Sequence, residues 1–90
     1  MNDPPSRLRW ACRRGMLELD LLLMAYLEQV YPGLTPAGQR VFAGFLEEPD
    51  GQIYHWLLGG GTPDPAFFDL VQDIRGLATS SRTAGIMPAL

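Results

Sequence analysis

Lysine is absent from this 90-residue sequence, cysteine and histidine occur once each, and the longest unbroken apolar stretch runs only from Leu21 to Leu27. Each shortage excludes a class of protein. Without lysine there is no phosphate-cradling loop of the Gly-x-x-x-x-Gly-Lys-Ser/Thr type. A single cysteine, Cys12, rules out an intrachain disulfide and a multi-thiolate zinc site, which fits a reducing compartment. A single histidine, His55, cannot anchor a usual zinc site. The apolar stretch falls far short of the roughly 20 residues that span a bilayer, and the opening MNDPPSRLRW has no apolar signal core. The chain is therefore expected in the cytoplasm, without membrane insertion.

What is present describes one small folding unit. Apolar side chains make up 47% of the sequence and charged ones 19%, enough for one core and too little for two. All seven cations are arginines, set against ten carboxylates, for a net charge of -3. Their distribution is uneven: Arg7, Arg9, Arg13 and Arg14 crowd the first 14 residues against Asp3 alone, while the remainder is acidic. The overall sign argues against nucleic acid as the main partner.

Proline and glycine mark the element boundaries. Asp3 with Pro4 and Pro5 opens a first helix reaching about Arg13, since a carboxylate caps free amides and proline costs little in the first turn. After Gly15, a second helix to Tyr31 is apolar nearly all round and so needs cover on several sides; Pro32 and Gly33 end it, glycine accepting a positive φ. Thr35 and Pro36 start a third, stopping near Glu48. Asp50 caps a short fourth, which ends at Gly59, Gly60 and Gly61. Asp64 and Pro65 open a fifth, with Phe67, Phe68, Leu70, Val71, Ile74 and Leu77 on its apolar side. No segment alternates like a strand. The expected fold is all-α, a compact five-helix bundle with helix 2 at its centre, a single domain over residues 1–78 and a flexible tail over 79–90.

Catalytic candidates are few. His55 reads as a surface or partly buried histidine; Cys12 reads as an inert, half-buried thiol, although nearby arginines would favour thiolate. Trp10 and Trp56, each beside a leucine, read as core residues before interface anchors. The glycine run reads as a helix stop, and no catalytic or metal residue is assigned. One constellation remains, in CRRGMLELD: Arg13, Arg14, Gly15, Glu18 and Asp20. On a continuous helix Arg14 and Glu18 would form a surface pair contributing about 0.3–0.5 kcal/mol. Glycine inside a helix costs roughly 0.5–1 kcal/mol relative to alanine, so Gly15 suggests instead a corner presenting a guanidinium, bare backbone and a carboxylate to another macromolecule. Asp20 would also favour the positive end of helix 2. Two other readings stand beside this one: a nucleic-acid module using RLRWACRR, and an antitoxin-like or cytoskeletal interaction protein using the same surface.

At this string the sequence resembles the family of succinate dehydrogenase assembly factors that promote flavinylation, whose hallmark is Arg-Gly-x-x-Glu. The hallmark falls on Arg14, Gly15 and Glu18, with similarity at Arg7, Trp10, Arg13, Met16, Leu19 and Asp20, and on through RVFAGFLEEPD to Trp56 and Leu57. It covers about residues 7–58; Gln52 departs from a common acidic residue. The resemblance implies a five-helix, chaperone-like factor that binds the flavoprotein subunit of succinate dehydrogenase, and that of fumarate reductase, before the iron-sulfur partner. It implies that FAD belongs to the partner, where a histidine attacks the flavin 8α position, and that this chain binds no cofactor itself. The implied partner-binding residues are Arg14, Gly15 and Glu18, with Arg7, Trp10, Arg13 and Asp20 secondary. The expected state is a monomer.

Overall fold

The computed structural model describes residues 6–83. Five helices, α1 (Ser6–Ala11), α2 (Leu17–Gln29), α3 (Pro36–Phe45), α4 (Asp50–Leu57) and α5 (Phe68–Thr83), follow one another, with 3-10 turns at Tyr31–Gly33 and Pro65–Phe67. No strand occurs among the described residues. The radius of gyration is 12.4 Å, close to the roughly 12 Å expected of a compact chain of this length.

Helix α2 is the hub. Leu19, Leu22, Leu23, Tyr26 and Leu27 are all buried, and the helix packs on α1 and, more extensively, on α5. The Tyr26 ring meets Phe42 of α3 at 5.1 Å. Beneath it, Phe45, Trp56 and Phe67 gather α3, α4 and the entrance to α5, with ring centroids 5.3–6.0 Å apart, an offset aromatic cluster of the kind that adds to plain area burial. The apolar coat of α2 is not fully covered, however: Leu17 is 74% exposed and Leu21 45%. They lie four residues apart on one helix face.

The ends of the helices account for the remaining departures from the sequence pattern. The entrance signal at Asp3, Pro4 and Pro5 lies outside the described residues. α2 stops at Gln29, and the chain leaves through a 3-10 turn in which Gly33 does not use the left-handed region. Thr35 caps α3 as expected, its side chain accepting from the Gly38 amide at 3.1 Å. α3 ends at Phe45 and passes through a turn to Glu48. The residue preceding α4 is Pro49, and Asp50, inside the first turn, makes no capping hydrogen bond; its carboxylate is engaged elsewhere. Phe68 is 46% exposed, because the 3-10 turn rotates the start of α5 away from the core. α5 itself runs through Thr83, past the position where the apolar period fades.

Beyond α4 the glycine run does two things. Gly60 adopts φ +77°, and the amides of Gly59 and Gly61 return to the carbonyl of His55 at 3.1 and 2.9 Å, closing the helix end. Arg75 of α5 then clamps that end from outside, donating to the carbonyls of Trp56 and Gly61 at 2.9 and 3.0 Å. A cation on carbonyls at a helix C-terminus satisfies otherwise orphaned acceptors.

Candidate functional site

Gly15 is a corner. Its φ of +82° lies in the region that costs a side-chain-bearing residue roughly 1–2 kcal/mol. A Cβ built there meets nothing within 4 Å, so it is the backbone angle, and no crowding within this chain, that calls for glycine. The corner is held by Asp20 in the first turn of α2, whose carboxylate accepts the Arg14 amide at 2.7 Å and the Gly15 amide at 3.3 Å. Asp20 thus does more than sit near the positive end of its helix. It reaches back and ties the chain that precedes the helix, as capping carboxylates do.

Arg14 does not serve as an outward cation. Its side chain is only 13% exposed; Nη1 donates to the Ala11 carbonyl at 2.8 Å and Nη2 to the Glu48 carbonyl at 2.5 Å. Nε lies 2.9 Å from Asp50 Oδ1, at an angle that makes the contact an ion pair rather than a hydrogen bond. One guanidinium therefore joins the end of α1, the turn after α3 and the start of α4. The physical reason is local: two helix ends leave carbonyls without amide partners, and a planar fork of donors reaches both. A tripod with cation and anion side by side facing outward is thus not formed. Glu18 and Gly15 are exposed, and Leu17 between them is the most exposed large apolar residue among the described residues.

Of the secondary candidates, Arg7 and Arg13 are exposed and Asp20 is half-buried. Trp10, expected in the core, is 72% exposed, whereas Trp56 is buried; helical spacing turns Leu8 and Cys12 inward and Trp10 away from them. The Arg13 guanidinium lies over the Trp10 ring, 5.7 Å from its centroid. Cys12 is fully buried. Burial pushes its thiol up to about 12, outweighing the opposing pull of Arg14, so the nucleophilic form is suppressed. His55 is exposed, with its ring over Gly61. Among the described residues no three His, Cys, Asp or Glu side chains cluster as a metal site would require, and no helix is long and apolar enough to cross a membrane.

Sequence reasoning missed Asp50 as the partner of Arg14, Leu17 as an exposed apolar residue, and Arg75 as a clamp. Leu17 left a signal, since it occupies a variable position inside the five-residue string. The other two left none, because their partners lie far away in the chain.

The geometry defines a small all-α protein with a buttressed, solvent-facing corner. Comparison with known proteins gives that class its family. Residues 6–78 match the family described as flavinator of succinate dehydrogenase, and the chain belongs to that family. The match extends past residue 58, where the sequence resemblance stops. Among similar proteins, the FAD assembly factor SdhE of Coxiella burnetii is 40% identical over 82 residues, covering 88% of this chain and 100% of the relative. That of Shewanella oneidensis is 40% identical over 74 residues, 81% of this chain and 90% of its own. No solved structure matches the chain.

Proposed function

We propose that this chain is a cytoplasmic assembly factor that binds the flavoprotein subunit of succinate dehydrogenase and promotes covalent attachment of FAD to a histidine of that subunit. The flavoprotein of fumarate reductase is a second client on the same reading. The observation that carries the proposal is the corner at Gly15, where a left-handed backbone fastened by Asp20 exposes Gly15, Leu17 and Glu18 together.

Gly15 lets the partner's surface approach the backbone closely, and Glu18 offers a carboxylate for a charge-assisted contact. Arg14 acts through the corner it braces, as a positioning residue. The chain supplies orientation rather than acid or base chemistry: by favouring one arrangement of the partner's mobile parts, it raises the fraction of time in which flavin and histidine are aligned. FAD remains the partner's.

The test is co-expression of the flavoprotein with Gly15→Leu or Glu18→Ala variants, followed by in-gel flavin fluorescence. The expected result is a large loss of covalent flavin with each. Full fluorescence with both variants would overturn the proposal.

A further inference from the structure

Asp50 opens α4 without capping it, and its carboxylate is turned toward Arg14, 2.9 Å from Nε. The guanidinium needs that carboxylate for a reason its other partners do not meet. The Ala11 and Glu48 carbonyls take Nη1 and Nη2, which satisfies donors but leaves a full positive charge on a side chain only 13% exposed. Nε has no hydrogen-bond partner. The other nearby carboxylate, Asp20, accepts the backbone amides of Arg14 and Gly15 and forms no ion pair with the guanidinium. Among the described residues Asp50 is therefore the one anion paired with this charge. A largely buried charge that loses its counter-ion gains by turning out to water, because neutral dipoles do not replace the lost partner.

We propose that Asp50 is a positioning residue for flavinylation, holding the Arg14 guanidinium inward so that the backbone at Gly15 stays bare for the flavoprotein subunit. The proposal rests on the docking reading above and adds to it a residue from a distant part of the chain. Arg14 directly precedes Gly15, so a guanidinium released from its carbonyls is free to lie across the exposed corner that the partner approaches. Release also unties the end of α1 from the turn after α3, which the guanidinium otherwise joins. Neither effect needs Asp50 to touch the partner. The carboxylate acts through Arg14.

The experiment uses the full chain with Asp50→Glu, Asp50→Asn and Asp50→Lys. Glu47→Gln controls for local charge, since Glu47 is exposed and in no ion pair among the described residues. Each variant is co-expressed with the flavoprotein subunit for in-gel flavin fluorescence. Each purified chain is also treated with an arginine-selective dicarbonyl reagent, and the modified peptides are read by mass spectrometry. Arg75, half-buried at the other end of α4, is the internal reference, because loosening of the whole fold would expose it too. Arg14 should react about tenfold faster in Asp50→Asn, and faster still in Asp50→Lys, while Arg75 keeps its rate. Covalent flavin should fall in the same order. Asp50→Glu, whose carboxylate still reaches the guanidinium, and Glu47→Gln should match wild type.

Unchanged Arg14 reactivity or full covalent flavin in Asp50→Lys overturns the proposal, as does equal acceleration at Arg75. Loss in Glu47→Gln, or in Asp50→Glu as large as in Asp50→Asn, also overturns it, since the effect would then not be that of a carboxylate on Arg14. If flavin is lost from Gly15→Leu and Glu18→Ala but kept in the Asp50 variants, the docking reading stands without this residue. Full flavin in all of them overturns both.

Discussion

The guanidinium of Arg14 and the carboxylate of Asp50 meet at 2.9 Å, joining the corner before α2 to the first turn of α4 across 36 residues of chain. The same guanidinium donates to the carbonyls of Ala11 and Glu48. Its removal would strand two acceptors at helix ends. Hydrogen bonds to a charged group contribute about 1.5–3 kcal/mol; the Asp50 side chain is 53% exposed, so the ion pair adds little under solvent screening. Arg14→Ala should therefore destabilise the fold by about 2–3 kcal/mol, and Arg14→Lys should recover only part, because an ammonium cannot span both carbonyls. Urea denaturation measures both; an unchanged midpoint for Arg14→Ala would show that the contacts are idle.

Backbone strain and docking separate at Gly15. Since a Cβ there meets no atom of the chain, the cost of substitution is the angle alone. Gly15→Ala should lose about 1–2 kcal/mol, and Gly15→Asn less, because asparagine tolerates left-handed geometry. Asparagine nevertheless adds bulk to the exposed surface. Near-native stability with reduced flavinylation is the expected signature; full flavinylation by Gly15→Asn would mean that the partner does not approach the backbone here.

Asp20 is the brace of that corner. Asp20→Ala removes both amide contacts and should cost about 1–2 kcal/mol, as loss of a capping side chain does. Hydrogen exchange at Arg14 and Gly15 should accelerate by more than global unfolding accounts for. Equal protection in the variant would place the brace elsewhere.

Leu17 tests the surface from the apolar side. It contributes almost nothing to the core at 74% exposure, so Leu17→Gln should change stability by no more than about 0.5 kcal/mol. Its affinity for the flavoprotein subunit should fall. A large drop in the unfolding midpoint would show that Leu17 packs within the chain after all.

The buried thiol predicts the alkaline limb of the stability profile. Cys12 ionises near 9.0 when exposed and is pushed up to about 12 by burial. The folded state holds the proton between those values while the unfolded state releases it, so stability falls as pH rises through that window, by at most about 1.4 kcal/mol per pH unit. Below pH 9 this contribution is fully present. Denaturation midpoints measured from pH 8 to 11 should show the decline, and Cys12→Ala should remove it from an already weakened fold. A thiol reagent should react with native protein only at the rate of its opening.

The helix count, the entrance at Thr35, the central place of α2 and the bend at Gly15 are all legible in the residues. Each depends on interactions within a few positions: capping, apolar period, the missing side chain of glycine. Proline and glycine marked the breaks well but their conformations poorly, as Gly33 shows, because several turn geometries satisfy the same two residues. Trp10 and Trp56 show the limit more sharply. Each has a leucine close in sequence, Leu8 and Leu57, yet Trp10 is exposed and Trp56 is buried against Phe45 and Phe67. Period tells which side chains share a face, not whether another element arrives to cover it.

The chain's local chemistry thus specified five helices and a bend at Gly15 among charged neighbours. The direction of those charges was settled by distant segments. Arg14 turns inward because Glu48 and Asp50, far along the chain, bring it a carbonyl and a carboxylate, and Asp20 turns back because two amides at the bend lack helical partners. Charged side chains go where unsatisfied polar groups collect, and only folding decides where that is.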